Sequence, residues 1–581
     1  MANKGDPLPP LTSYCATSGE NKLNKTKKSM LRFICQIYKI FSTFVLLLFE
    51  NFKIMSKQLL LLLVLFSLPF YNVKSEKAFY PEPDFFTQDD QFFLHTIESG
   101  QTVYSISVMY RVSVEDIYRL NPESRNVIRA GDILKIPQES GSYIYHTIQP
   151  QETLYGLSQK YHMTGEDIIA ANPGLSIQTF TIGKIIRIPT NMVTHPIQGG
   201  NEAINSSKTN SLLSQVYPLK EVNMIKVALL LPFGTKDAVV DKSLQNKMVE
   251  YYEGFLLALD AIKKEGISVD LHTYDTGSDT KEIPAILKKN EMQDIHLLIG
   301  GVADEQIKLL SRFAKEKNIP YVIPITSKSD EPFNNPNSYQ INTPQPLLYS
   351  KASLAFINKY GRDNIIIVSD ETGTSNRKDF IDLLKQDLQD KKIPYKTVIL
   401  SANFYNDINV LLNKTQKNVI IPSDDSTEIL SKLTTPLKSI VETQPYISLS
   451  LFGYPVWQVH SVKYSDDFFR LNTTFYAVFY SDPTSPDIKA FHSTFYKSFS
   501  RAMENVFPKY GMWGYDTGMY FIRLINAYGA QFNSKVNNLK YKGVQTDFYF
   551  ERVNNWGGFI NTNMYLINYN QDYTITKSLV K

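Results

Sequence analysis

The sequence predicts an α/β protein: two small strand–helix–helix–strand modules, then a large two-lobed domain built on parallel sheets. Three observations predict it. The stretch "LHTIESGQTVYSISVMYRVSVEDIYRLNPES" from Leu94 is echoed by "YHTIQPQETLYGLSQKYHMTGEDIIAANPGL" from Tyr145, with His95 and His146 standing 51 residues apart. Beyond Ile225, apolar strand runs alternate with helical segments in two successive series. The chain of 581 residues is 43% hydrophobic and 20% charged, which is globular composition on a length that exceeds a single core.

The amino-terminal region comes first. "MSKQLLLLLVLFSLPFYNVKS" from Met55 has one lysine, an apolar run from Leu59 to Phe70 and a polar tail, the layout of an export signal over 55–75. Residues 1–54 carry lysines and a second apolar run, Ile40 to Phe49. Two readings of them stand: an over-extended start ahead of a true Met55, or a membrane anchor. Cys15 and Cys35 both precede the export signal, so the exported part has no disulfide, no Cys-ligated metal and no thiol nucleophile. The net charge of +4 is small for this length, which excludes the basic footprint of a nucleic-acid binder.

Each module is read element by element. "HTI" opens a strand, and a polar turn ends in Thr102 or Thr153, placed to cap a helix. Val103, Ile106 and Tyr110 recur at helical spacing, as do Leu154, Leu157 and Tyr161. Ser113 or Thr164 begins a second short helix that Asn-Pro stops, and "GDILKIP" or "GKIIRIP" closes the unit as a strand. His95 and His146 start equivalent strands and read as structural.

On these residues each unit resembles a LysM domain, over 94–138 and 145–190. The resemblance implies binding of N-acetylglucosamine-containing glycan, in bacteria the backbone of peptidoglycan. It places the sugar groove between the turn before the first helix and the loop before the last strand. Carried over by position, the glycan-binding candidates are Gly100, Gln101, Thr102, Val103, Ile128 and Arg129 in the first unit. In the second they are Gln151, Glu152, Thr153, Leu154, Thr181 and Ile182. The second unit departs from the pattern at Gln151, where glycine is usual. Beside this reading, the threonines serve as caps and Val103 and Leu154 as core. Two weak grooves on one chain raise the effective concentration at a polymer, which gives duplication a physical reason.

Residues 191–223 lose periodicity and are rich in Gly, Ser, Asn and Thr, the composition of a flexible linker. From 224 to 581 the runs "IKVALLLPF", "SVDLHTYD", "IHLLIGG" and "PYVIPIT" make one strand series, and "NIIIVSD", "YKTVILS", "NVIIPSD" and "YISLSLFG" a second. The late helix "GYDTGMYFIRLINAYG" and the strands "TDFYFERV" and "NMYLINY" are expected to return to the first lobe. "VALLLPF", "YYEGFLLALD", "LLIGGV", "IPYVIPITS", "IIIVSD" and "GYDTGMYFI" together resemble the type I periplasmic-binding-protein fold, seen in amino-acid receptors of ABC-type uptake systems. The resemblance implies a ligand cleft at the carboxyl ends of strands, with Gly300, Gly301, Val302, Thr326, Ser327, Asp370 and Asp516 beside it. The helix after "GGVAD" would offer N–H groups to an anion and "ITSKS" hydroxyls to a carboxylate. Against that, the glycines also suit a tight turn and Asp516 a helix cap.

Motifs of catalysis are missing: no HExxH, no GxSxG elbow and no Walker-type loop, so no enzyme, cofactor or metal is expected. The pairs Asp424-Asp425 and Asp466-Asp467 read as solvated turns. The favoured function is a wall-associated envelope protein, held on peptidoglycan by the repeat, with the large domain as receptor or scaffold. The alternatives are an amino-acid or small-anion receptor for uptake, and a regulator of peptidoglycan synthesis through contact with an envelope protein. A hydrolase is a fourth reading that lacks its motifs. Residue usage and domain order resemble Bacteroidetes proteins.

Overall fold

The computed structural model describes residues 92–125, 127–138, 142–190, 202–214, 222–235, 241–370, 375–530 and 532–580. The export signal and the segment before it lie outside the described residues. Among the described residues no helix is long and apolar enough to cross a membrane.

The two modules fold alike. In the first, β1 (Phe92–Thr96) and β2 (Ile133–Pro137) pair antiparallel around α1 (Val103–Tyr110) and α2 (Val114–Leu120). In the second, β3 (Tyr143–Thr147) and β4 (Ile185–Pro189) enclose α3 (Leu154–Lys160) and α4 (Gly165–Ala171). All four helices are capped as the sequence indicates: the hydroxyls of Thr102, Ser113, Thr153 and Thr164 accept the N–H three residues on.

The Asn-Pro pair does more than stop a helix. The buried Asn172 amide donates to Ile168 O and Arg187 O, each at 2.7 Å, while its carbonyl accepts Arg187 N at 2.8 Å. Asn121 repeats this with Ile117 and Lys135. Each asparagine thus fastens the second helix to the closing strand. Asn172→Ala removes those bonds at a buried site and leaves their partners unsatisfied, so a loss of about 3 kcal/mol is expected. Amide exchange over β4 in the variant is the check, with faster exchange the expected result.

The segment expected to be a flexible linker contains a helix, α5 (Glu202–Ser211), ending in a 3-10 turn at Leu212–Ser214. It is held by packing against α3 and α4 and not by its own periodicity.

The large domain begins with β5 (Ile225–Leu231), α6 (Lys242–Lys264), β6 (Val269–Asp275), β7 (Leu297–Gly300), α7 (Asp304–Lys317), β8 (Tyr321–Ile323) and β9 (Ser338–Gln340). Then come α8 (Gln345–Tyr360), β10 (Asn364–Ser369), α9 (Lys378–Asp390), β11 (Tyr395–Ile399), β12 (Asn418–Pro422), β13 (Leu449–Gly453) and β14 (Thr474–Ala477). The helix α10 (Tyr510–Tyr528) precedes β15 (Phe550–Arg552), β16 (Phe559–Asn561), β17 (Tyr565–Tyr569) and β18 (Ile575–Leu579). One lobe's sheet runs β15-β16-β9-β8-β7-β5-β6 and the other's β11-β10-β12-β13-β14-β17-β18. Most neighbours are parallel; β15–β16, β14–β17 and β17–β18 are antiparallel.

The chain crosses between lobes after β9, after β14 and after β16. This corrects the expectation that both closing strands rejoin the first lobe. "TDFYFERV" does so as β15, but "NMYLINY" becomes β17 in the second lobe, where it covers the edge of β14 with Phe475 opposite Ile567. The helix α10 does return, lying along α6. A Cβ on Gly254 would stand 1.7 Å from Gly511 O and one on Gly514 1.9 Å from Tyr251 O, so only glycine permits this approach.

Candidate functional site

The turn before each first helix is organised by a buried histidine. His95 lies 2.8 Å through Nε2 from Gln101 Oε1 and 2.9 Å through Nδ1 from the Tyr110 hydroxyl. His146 makes the same pair of contacts with Glu152, at 2.6 Å, and Tyr161, at 2.9 Å. The side chains of Gln101 and Glu152 also accept Glu98 N and Gln149 N, so both are tied to their own module. Thr102 and Thr153 are occupied as caps. Val103 and Leu154 are buried in the module cores. The side chains of these six candidates are therefore engaged within the modules, as turn ties, caps and core.

Burial holds both imidazoles below their ordinary value of 6.5, against the upward pull of Gln101 on one and Glu152 on the other. An unfolded histidine takes its proton near 6.5 while the folded ring stays neutral. The stability contributed is thus complete above that pH and is lost as pH falls through the lower folded values. Relative to intrinsic rates, amide exchange in β1 and β3 is expected to accelerate between pH 7.5 and 5. The acceleration should be greater in β1, because Gln101 offers its imidazolium no negative charge.

At the lip, Gly100 (φ 79°) and Gln151 (φ 69°) share the left-handed backbone, which explains how a glutamine stands where glycine is usual: it keeps the turn at a steric cost of about 1 kcal/mol. Ile128 packs on the core of its module. Thr181 and Ile182 are exposed, Ile182 by 66%.

Other parts of the chain lie against the first module's candidates. Gly100 abuts Leu347 of α8, Ser99 Oγ is 2.6 Å from Ser350 Oγ, and Arg129 pairs with Asp390 of α9 at 3.1 Å. On the opposite side the Tyr104 hydroxyl donates to Asp330 at 2.8 Å. Between the modules stands Trp556, from the turn between β15 and β16. Its ring centroid is 5.9 Å from Tyr110 and 5.5 Å from Tyr145, and Arg187 lies 4.4 Å over it. Arg187 is buried, donates to Asn334 Oδ1 at 3.0 Å, and has its guanidinium pKa lowered by burial. Asn555 adds a bond to Ile185 O at 3.0 Å and accepts Gly174 N at 2.7 Å. In sequence terms, the missed signal is one tryptophan within "NNWGG".

The cleft candidates Gly300 to Ser327 end or follow strands β7 and β8, and Asp516 lies within α10. Gly300 and Gly301 are buried; a Cβ on Gly300 would stand 1.9 Å from Leu230 O, and Gly301 N is already bonded to that oxygen at 3.0 Å. Val302 N faces Gln306 Oε1 at 3.3 Å, and α7 opens with Asp304 and Glu305. Those carboxylates disfavour an anion at this helix start. Thr326 Oγ1 closes its own turn by accepting Lys328 N at 3.0 Å, and Ser327 follows it, half-buried. Asp370 directly follows β10.

Asp516 is the clear correction. It is fully buried, and its carboxylate accepts Tyr541 Oη at 2.8 Å, Val544 N at 2.7 Å, and Gln545 N and Thr546 N at 2.9 Å each. Burial pushes the carboxyl up to about 6 against these donors. With its oxygens taken, it organises a loop and does not face a ligand.

A polar network at the carboxyl ends of β10 and β12 went unread. Arg377 donates through Nε to Asp425 at 2.8 Å and through Nη1 to the Tyr349 hydroxyl at 3.0 Å. Asn376 donates to Asp425 at 2.7 Å and Trp457 Nε1 to Asp425 O at 3.0 Å. Asp425 is therefore buried and paired, and Asp424, also buried, accepts Asn376 N at 3.1 Å and Ser426 N at 2.8 Å, in place of the solvated turn expected. Among the described residues no cluster of His, Cys, Asp and Glu forms a metal site.

Comparison with known proteins adds the following. Residues 251–551 match the receptor family ligand binding region, and residues 95–137 and 146–189 each match the LysM domain. Among curated proteins the chain is similar to one named as a sporulation-specific glycosylase, YdhD, of Bacillus subtilis (strain 168), at 35% identity over 98 residues, covering 17% of this chain and 22% of that protein. It is also similar to the N-acetylmuramoyl-L-alanine amidase sle1 of Staphylococcus aureus (strain NCTC 8325 / PS 47), at 28% over 140 residues, covering 22% and 40%. The chain thus spans at most two-fifths of the length of these relatives. Among solved structures it is similar to an ABC transporter substrate-binding protein of Desulfitobacterium hafniense in complex with Leu, with TM-score 0.36, 14% identity, and coverage of 61% of this chain and 100% of that one. A branched chain amino acid ABC transporter periplasmic ligand-binding protein of Burkholderia xenovorans LB400 gives TM-score 0.40, 11% identity, and coverage of 61% and 94%.

Proposed function

Since the chain belongs to the receptor family ligand binding region family and carries two LysM domains, we propose that it is a non-catalytic protein of the cell envelope. The modules hold it outside the cytoplasm on the N-acetylglucosamine-containing glycan of peptidoglycan, and the two-lobed domain acts there as a receptor or scaffold. The observation that carries the reading is the pair of matched modules, each a complete capped βααβ unit. The relatives named as an amidase and a glycosylase are consistent with a wall ligand.

A groove walled by main-chain N–H and C=O groups suits an uncharged sugar. One such groove binds weakly, and polymer avidity supplies the rest. Sedimentation of the full chain with insoluble peptidoglycan tests this reading. Retention that soluble chitin oligosaccharides compete away is expected; protein left in the supernatant overturns it.

For the large domain, the reading favours a protein partner over an amino-acid carboxylate. Arg377, a cation at the carboxyl end of the second-lobe sheet, is already paired with Asp425, and acids occupy the start of α7. The match to a ligand binding region keeps a small-molecule receptor as the second reading. A thermal-shift screen of amino acids and small anions separates the two, because a ligand of the folded state raises the melting temperature with its concentration. A concentration-dependent shift establishes the receptor, and uniform silence supports the protein partner.

A further inference from the structure

We propose that residues 206–214, between the second module and the large domain, form a resident occupant of the second module's groove that glycan must displace. The inference rests on the reading of that module as a glycan binder. The segment crosses between the two walls that define the groove. At one wall, Asn210 Oδ1 accepts the main-chain N–H of Tyr155 at 3.0 Å. Tyr155 is the second residue of α3, and its N–H is one of those a helix start cannot satisfy internally. At the other wall, the loop between α4 and β4, Leu213 O accepts Ile177 N at 3.1 Å. Between them, Thr209 and Leu212 lie directly over Gly165, where a Cβ would stand 2.6 Å from Thr209 Cγ2 and 3.2 Å from Leu212 Cδ1. Leu212 and Leu213 rest on the module's apolar core. Thr181 and Ile182 stay exposed at the outer lip, so a sugar chain has a place to land.

The chemistry of the occupant matches that of the ligand. The carboxamide of Asn210 presents the same planar carbonyl acceptor as the acetamido group of N-acetylglucosamine. An N-acetylated sugar seated between these walls therefore competes for the N–H groups of Tyr155 and Ile177. Because the occupant is part of the same chain, its effective concentration is high and a single sugar residue competes poorly. A longer oligosaccharide, with several contacts made at once, prevails. The segment thereby sets a length threshold on the glycan that the module accepts.

The test uses the full chain, tetra-N-acetylchitotetraose and two variants of opposite sign. Asn210→Ala combined with Leu212→Ser frees the groove and is expected to tighten binding about tenfold, the equivalent of one hydrogen bond released from competition. Asn210→Asp puts a carboxylate on a helix N-terminal N–H, strengthens the occupant and weakens binding. In the wild-type chain, added tetrasaccharide should speed amide exchange across 206–214. Equal affinity in all three chains, with exchange over 206–214 unmoved by bound sugar, overturns the proposal and leaves glycan binding intact. No binding by any of the three chains rejects the glycan reading of this module, and the competition with it.

Discussion

Trp556→Ala is expected to release the module pair from the first lobe. The indole is 2% exposed and sits where three parts of the molecule meet: Tyr110 of the first module, Tyr145 and Arg187 of the second, and the turn that carries it. Removing it opens a large cavity and takes away the surface on which the buried guanidinium lies. A tryptophan truncated in a packed core costs about 3–5 kcal/mol. Arg187 has few other compensations, since Tyr143 and Tyr145 offer it ring faces, the Arg111 cation repels it, and its Nε has no partner among the described residues. The expected result is an increased radius of gyration in small-angle scattering, with faster amide exchange in β1, β3 and β4. Trp556→Phe should be much milder, because the indole N–H has no partner among the described residues and a phenyl ring keeps most of the packing. An unchanged scattering profile in the alanine variant would show that the pair is held by other contacts.

Asp516→Asn is the second large effect. The carboxylate gathers donors from Tyr541, Val544, Gln545 and Thr546. Through Gln545 and Thr546 that loop bonds to the chain crossing after β14: Tyr480 N donates to Gln545 O at 2.8 Å and Thr546 Oγ1 to Val478 O at 3.0 Å. An amide of the same shape accepts through one oxygen and turns an NH2 group on N–H donors, so part of the set is lost and part becomes repulsive. Charge-assisted bonds at a buried site set the loss at about 3–5 kcal/mol. Chemical denaturation is the measurement, with a lower midpoint expected. A variant as stable as the parent would mean that the loop is held without this group.

The modules were legible because their signals are local: a capping threonine, apolar residues at helical spacing and an Asn-Pro stop all act within a few residues. The parallel lobes were legible because strands such as Ile225–Leu231 are apolar throughout, as strands covered on both faces must be. What was not legible is non-local. Nothing within "NMYLINY" says which sheet edge is vacant, and nothing near Trp556 points to tyrosines several hundred residues earlier. The resemblance places Asp516 beside a ligand cleft, with a helix cap as the alternative, but whether such a group faces a ligand or a loop depends on what folds over it. Gln101 and Glu152 are a related case: the resemblance offers them to a sugar, and their bonds to the buried histidines are made by residues that lie outside the turn itself.

The first module touches both sides of the two-lobed domain, and with very unequal grip. Toward the first lobe it is wedged around Trp556 and Arg187; toward the second it has one hydroxyl contact, an exposed ion pair and the press of Gly100 on Leu347. Exposed ion pairs contribute at most about 1 kcal/mol. Any swing of one lobe against the other therefore parts the seam on the second-lobe side. On the proposed mooring to a polymer, the modules are expected to move with the first lobe and to leave the second lobe as the half of the molecule free to swing.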